Sequence, residues 1–227
     1  MKKIISYSLW GNNPTYNIGA IKNAELAKIY YPDFECWFYI HEESVPKETI
    51  QKIEQIGNSK IIYKNDNILN EECFPRMWRF EAIDDENVEI MMPRDTDTRI
   101  LEREVLAVRE WLNSDKIFHI MRDHPHHTFC ILAGMFGTKK IENISWKNLI
   151  KTFFDNDKHF YDQNFLKDII YPLVKNNSII HATFHKLENH AINFPIQYDS
   201  DYKFVGEYVY FDESRSIRHI DELKKSL

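Results

Sequence analysis

The stretch EIMMPRDTDTRI, Glu89–Ile100, decides the reading of the fold. A short apolar run over Val88–Met92 has the length of a buried strand. It gives way to two aspartates one residue apart, fenced by Arg94 and Arg99. In extended backbone, residues i and i+2 point to the same side. Asp95 and Asp97 therefore present two carboxylates together at a strand end, which is where open α/β sheets place their ligands. Carboxylates this close repel unless something positive stands between them. A hard divalent cation, Mg²⁺ or Mn²⁺, takes oxygen ligands and suits such a pair. The plainer alternative is a salt-bridged turn in which Arg94 and Arg99 offset the charge and Asp97 or Thr98 caps the next helix.

Strands alternate with helices on both sides of this turn. Lys3–Trp10, Cys36–Ile40, Lys60–Tyr63 and Val88–Met92 read as strands. Between them, Asn17–Tyr31 carries Ile18, Ile21, Ala24 and Ile29 at helical spacing, and Pro46–Ile56 and Phe74–Ile83 read as further helices. Leu101–Leu112 sets Leu101, Val105, Val108, Trp111 and Leu112 on one face. Lys116–Met121 is strand-like, Trp146–Phe154 and Asn164–Leu173 are helical, and SIIHATF and KFVGEYVYF close the chain as extended segments. This alternation argues an α/β fold with a mostly parallel sheet. No linker or repeat divides the chain, so residues 1–227 are expected to form one domain.

Composition narrows the function. The 227 residues are 43% hydrophobic, enough to bury a core without cross-links. Net charge is −6, with Lys and Arg scattered among acids, so a nucleic-acid partner is not expected. An anionic ligand must then be met locally, by a few placed cations or a metal. Cys36, Cys73 and Cys130 are odd in number and lack zinc-ligand spacing, which fits free thiols in a reducing compartment. The start MKKIISYSLW is too short and polar for a signal peptide, and no apolar run nears a membrane span; a cytoplasmic protein without a transmembrane segment is expected.

Two chemistries use paired strand-end aspartates. Asp95, Thr96, Asp97 and Thr98 match the D-x-D-x-T pattern of haloacid-dehalogenase-like phosphatases, in which an aspartate attacks phosphate. The same D-x-D is similar to that of glycosyltransferases with the GT-A fold, where it holds a metal on the pyrophosphate of a nucleotide sugar. Position separates them. The phosphatase motif ends the first strand of its domain, whereas three strand–helix units come first here. A D-x-D near the middle of the chain fits GT-A.

The surrounding residues sharpen this. The pair Arg76 and Arg79, the RDTDTR turn, the helix REVLAVREW, the strand end MRDHPHH and the turn GMFG together resemble a group of small GT-A domains. These occur in bacterial surface-polysaccharide clusters and in large algal DNA viruses that glycosylate their capsids. The resemblance implies a single GT-A (Rossmann-like) α/β domain, with residues 1–100 as the nucleotide-binding half and 101–227 as the sugar and acceptor half. It implies transfer of a sugar from a nucleoside diphosphate donor, UDP foremost, to a glycan hydroxyl. A D-x-D-x-T phosphatase and a non-catalytic nucleotide-sugar or glycan-binding domain are the alternatives.

Site residues follow from the resemblance. Arg76 and Arg79, three apart on a helix, would face the diphosphate, with Arg94 and Asp95 beside them. Ser8, Trp10 and Tyr16, at and beyond the first strand end, would meet base and ribose. Asp95 and Asp97 would hold Mn²⁺ or Mg²⁺, joined by His181 or, as second choice, His185. Asp123 is the candidate to orient or deprotonate a hydroxyl. His124, His126, Gly134, Asp162 and Gln163 would line the sugar and acceptor pocket.

Overall fold

The computed structural model describes residues 1–64, 73–157 and 159–227. Strands β1 (Lys2–Leu9), β2 (Phe34–His41), β3 (Ser59–Lys64), β4 (Val88–Pro93), β5 (Phe118–Arg122), β6 (Phe136–Lys139) and β7 (Ser178–Ala182) form one sheet in the order β3-β2-β1-β4-β6-β5-β7. β3, β2, β1 and β4 are mutually parallel; β6 runs antiparallel between β4 and β5, and β7 is parallel to β5. The chain grows outward from β1 to β3, then returns to place β4 on the other flank of β1. The strand order thus reverses between β1 and β4, and the crevice beyond their carboxyl ends is the topological switch point.

Helices α1 (Pro14–Tyr30), α2 (Lys47–Ile56), α3 (Cys73–Trp78), α4 (Glu102–Leu112), α5 (Trp146–Thr152), α6 (Tyr161–Phe165), α7 (Tyr171–Val174) and α8 (Ile217–Ser226) complete the fold. A 3-10 stretch, Arg79–Asp84, continues α3, and a π-helical stretch, Leu166–Ile170, joins α6 to α7. Period-2 alternation divides the core. Ile4 of β1 packs with Trp37, Met91, Phe136, Trp146 and Phe165 on one face. Ile5, Tyr7 and Leu9 pack with Phe38, Ala20, Ala24, Ala27 and Trp111 on the other. Strands buried on both faces are apolar along most of their length, which is why β1, β2 and β4 read so clearly in sequence, while the edge strand β3 is only partly buried.

Several expectations change. α1 begins earlier than Asn17: Asn13 caps it by accepting from the Thr15 N–H (3.0 Å), and Pro14 fills its first turn. Its buried stripe is made of small residues, Gly19, Ala20, Ala24 and Ala27, while Ile29 is 70% exposed. A close helix–strand approach excludes larger side chains. The segment KFVGEYVYF forms no strand; Val209 makes a single bridge to Arg215 and the chain ends in α8. β6 arises where a turn was expected, four residues long with Gly137 packed on the Trp111 ring. Cys36 and Cys130 are free; the side chain of Cys73 lies outside the description. Among the described residues no helix is long and apolar enough to cross a membrane.

Candidate functional site

Beyond the carboxyl ends of β1 and β4 lies a cavity of about 700 Å³. The turn after β1 forms one wall, with Ser8, Trp10, Asn12, Asn13 and Tyr16. Asp95 to Thr98 form the floor, Arg76 and Arg79 one side, and His159, Phe160, Asp162 and Gln163 another. Gly206 and Tyr208, from the irregular segment before α8, complete the rim.

The aspartate turn is held from three directions. Asn23 of α1 donates to the Thr98 carbonyl (2.7 Å), and Thr98 Oγ1 donates to the Asp95 carbonyl (3.0 Å). The Val209 N–H donates to the Asp97 carbonyl (2.8 Å), docking the late segment on the turn. Gly19 packs directly against it: a Cβ there would stand 2.9 Å from the Thr96 carbonyl carbon and nearer still to its oxygen.

Arg79 organises the charges. Its backbone N–H donates to Ser8 Oγ (3.1 Å), and Nη1 donates to the Arg94 carbonyl (3.0 Å) and to Asp95 Oδ1. Nη2 reaches Asp162 Oδ2 at 3.4 Å. Burial disfavours the Arg79 charge, but Asp95 and Asp162 outweigh it and hold the guanidinium firmly protonated. Arg76 is freer: Nη1 donates to the His159 carbonyl (2.5 Å), and it makes no ion pair among the described residues. Asp97 has no salt bridge among the described residues either. Desolvation and the neighbouring Asp95 push its carboxyl up to about 7, with Arg79 and Arg99 pulling weakly the other way. Burial, with Asp95 nearby, also raises Asp162 despite Arg79.

The structure brings Ser8, Trp10, Tyr16, Arg76, Arg79, Asp95, Asp97, Asp162 and Gln163 together on this cavity. The other sequence candidates lie elsewhere. Arg94 turns into the protein, 3% exposed, donating to Glu104 Oε1 (2.8 Å) and to the carbonyls of Pro93 and Phe136 (both 2.7 Å). Arg99 pairs with Glu213 (2.7 Å). Arg94 therefore faces away from the aspartates, while Arg99 holds the backbone of their turn, Nη1 donating to the Thr98 carbonyl (2.8 Å), and the ion pair to the aspartate carboxylates comes from Arg79.

Asp123 is fully buried and accepts from Arg103 Nε (2.9 Å) and Nη2 (2.8 Å), Thr183 Oγ1 (2.9 Å), Tyr198 OH (2.8 Å) and the Val205 N–H (3.0 Å). Every lone pair is spent on structure, away from the cavity. His181 is buried, its ring bonded to His119 (2.8 Å) and Glu110 (2.9 Å), so it is no partner of Asp97. His185 Nε2 is engaged by the Pro125 carbonyl (2.6 Å). His124 stacks on Phe204 (4.3 Å) and contacts the His219 carbonyl (3.0 Å); His126 faces Glu222 (3.2 Å). Gly134 touches the site from behind, against Asp95, rather than lining a pocket.

The residues missed are Asn12, Asn13, His159, Phe160, Gly206 and Tyr208. The GNNP turn after β1 carried a signal for the first two. Gly206 and Tyr208 sit in irregular chain with no period to place them.

No protein-family model matches the sequence, and no curated protein matches it. Solved structures do. A glycosyltransferase involved in glycosylation of the major capsid of PBCV-1 is similar over 80% of this chain and 82% of its own, at 15% identity and TM-score 0.52. The galactosyltransferase LgtC, solved with donor and acceptor sugar analogues, is similar over 78% and 73% (13% identity, TM-score 0.53). 4-Diphosphocytidyl-2C-methyl-D-erythritol synthase from Anaerococcus prevotii is similar over 86% and 92% (12% identity, TM-score 0.51). At such identities the likeness is one of fold, and the fold is the GT-A-type α/β fold expected from the sequence.

Proposed function

We propose that the chain is a metal-dependent glycosyltransferase that moves a hexosyl or pentosyl group from a nucleoside diphosphate sugar, UDP-linked by preference, to a glycan hydroxyl. The observation that carries this reading is the pair Asp95 and Asp97 at the β1/β4 switch point, with Asp97 making no salt bridge among the described residues. An unpaired carboxylate beside a second one is a costly arrangement for a protein that binds nothing there. An all-oxygen donor set fits Mg²⁺ or Mn²⁺ rather than a softer ion. Bound between Asp95 and Asp97, such an ion would offset the donor's diphosphate charge and the charge it gains on leaving.

The chain's own residues supply the rest. Trp10 and Tyr16 offer aromatic surface to a base beside the β1 turn. Arg76, whose guanidinium has no carboxylate partner among the described residues, faces the diphosphate. Arg79 fixes Asp95 and Asp162 in place, so its contribution is to position as much as to bind. Asp162 takes over from Asp123 as the carboxylate facing the sugar, with Gln163 beside it. The fold likeness to glycosyltransferases, one of them acting on a viral capsid, supports the reading without carrying it.

A second reading, nucleotidyl transfer, is favoured by the length of the alignment with the cytidyl-transferring synthase. A donor screen separates the two. Released nucleoside diphosphate from a nucleotide sugar, dependent on Mn²⁺ and an acceptor, supports glycosyl transfer. Pyrophosphate released from a nucleoside triphosphate and a sugar phosphate supports the other. Inorganic phosphate from simple monoesters, lost in Asp95→Asn, indicates a phosphatase, and binding without turnover indicates a binding domain.

A further inference from the structure

A second cluster of ligating groups lies apart from the cavity, where the chain leaving β5 meets α8. One ring nitrogen of His126, one of His219 and a carboxylate oxygen of Glu222 all lie within 4.8 Å of one another. His219 and Glu222 are three apart on α8, so one helical face presents both. We infer that these three side chains form a binding site for a borderline transition cation of the Zn²⁺ type, clamping the C-terminal helix to the β5–β6 connection.

The donor atoms are unspent. Glu222 Oε1 accepts from Arg218 Nε (2.9 Å), but Oε2 is buried and accepts no hydrogen bond. Oε2 stands 3.2 Å from His126 Nε2 without the alignment of a hydrogen bond. Among the described residues neither the His219 ring nor the His126 ring makes a hydrogen bond. A buried lone pair facing two uncommitted imidazoles is an acceptor set awaiting a cation.

The ligand-bearing segments are also held in register. His124 Nδ1 accepts from the His126 N–H (3.1 Å), which leaves the proton on Nε2, and this nitrogen donates to the His219 carbonyl (3.0 Å). One imidazole thus ties the backbone of both histidines, and its ring is stacked on Phe204. Such support behind the ligands is what orients a metal site. Two imidazoles and one carboxylate favour Zn²⁺ over Mg²⁺ or Ca²⁺, which prefer all-oxygen sets. With His126 half-exposed, a fourth position stays open to water.

The consequence is mechanical. α8 has a single buried residue, Leu223, and is otherwise held by polar contacts such as that of His124 to the His219 carbonyl. The segment before it carries Gly206 and Tyr208 on the cavity rim and Glu213 on Arg99. A cation at the clamp would fix this rim from behind.

Zn²⁺ added to the metal-free protein should raise the melting temperature by about 5–10 °C at a concentration roughly a hundred times its dissociation constant. The shift should be lost in His219→Gln and in Glu222→Gln, and persist in Asp97→Asn. Co²⁺ should give a visible absorption band that the same two variants abolish, a readout independent of folding stability. Mg²⁺ should produce neither effect at this site. A Zn²⁺ shift and Co²⁺ band unchanged in both variants, or lost in Asp97→Asn alone, would place the cation elsewhere and overturn the assignment. Absence of any Zn²⁺ shift or Co²⁺ band in the parent would overturn it too. None of these outcomes depends on glycosyl transfer.

Discussion

Gly134 lies so close behind Asp95 that a Cβ built on it would stand 2.7 Å from the carboxylate carbon and nearer still to Oδ2. The absence of a side chain at 134 is what lets the Asp95 carboxylate lean back and meet Arg79. Gly134 has no positive φ to explain it, so space is the only demand.

Gly134→Ala should therefore act on the site more than on the fold. The displaced atoms belong mostly to a short side chain that can swing away, so stability should fall by only about 1–2 kcal/mol. Mn²⁺-dependent UDP binding should weaken at least tenfold, because one of two metal-facing carboxylates is pushed off its position. Calorimetric titration of the folded variant with UDP and Mn²⁺ checks this. Parent-like affinity would show that Asp95 is not held where binding requires it.

Asp97 links the site to pH. Its folded-state pKa is raised to about 7, above the ordinary aspartate value, so the folded state binds the proton more tightly than the unfolded one. That contribution to stability is complete below about pH 4 and is lost as pH rises toward about 7. In metal-free protein, Asp97→Asn should gain on the parent between about pH 5 and pH 8, by something on the order of 1–3 kcal/mol. Mn²⁺ should reverse the ranking at the upper pH, stabilising the parent alone. Parallel stability curves for the two proteins across this range would remove Asp97 as the strained group.

Asp123 offers the opposite test. It is bidentate to Arg103 and accepts three further hydrogen bonds in the interior. Removing one partner of a buried pair leaves the other charge uncompensated. Asp123→Ala should cost about 3–5 kcal/mol, read by denaturant unfolding. The fraction that folds should keep its affinity for UDP. A variant of normal stability with abolished turnover would restore Asp123 to the chemistry.

These cases show why some residues were legible in sequence and others not. Asp95 and Asp97 declare themselves through the motif and its position along the chain, although both lie in the turn beyond Pro93 and not in the strand whose period would aim them. Arg94 and Asp123 did not, because their partners Glu104 and Arg103 sit on α4, and a residue's type does not say which neighbour claims it. α1 misled through its isoleucines, since tight packing on the sheet selects small residues that no hydrophobic pattern highlights. β6 is too short to show alternation, and Tyr208 reaches the cavity from chain without any period.

Arg76 and Arg79 pair in the sequence but differ in the fold. They are three residues apart, yet among the described residues Arg79 is bound to the carboxylates of Asp95 and Asp162, while Arg76 holds the His159 carbonyl and no carboxylate. Arg76→Ala should leave stability within about 0.5 kcal/mol. It should weaken UDP binding about 10- to 150-fold, the loss expected for one charged hydrogen-bonding group worth roughly 1.5–3 kcal/mol. Uridine, without the diphosphate, should bind as before. Arg79→Ala should instead destabilise the metal-free protein by about 3 kcal/mol, because the buried Asp162 and the partly exposed Asp95 lose their shared cation. Mn²⁺ should recover part of that loss by supplying positive charge beside Asp95. Arg79→Lys should rescue incompletely, since an ammonium lacks the planar fork that spans both acids. Equal effects of the two alanine variants on stability and on UDP would mean that Arg79 is a ligand-binding group like Arg76, and that the carboxylates are positioned without it.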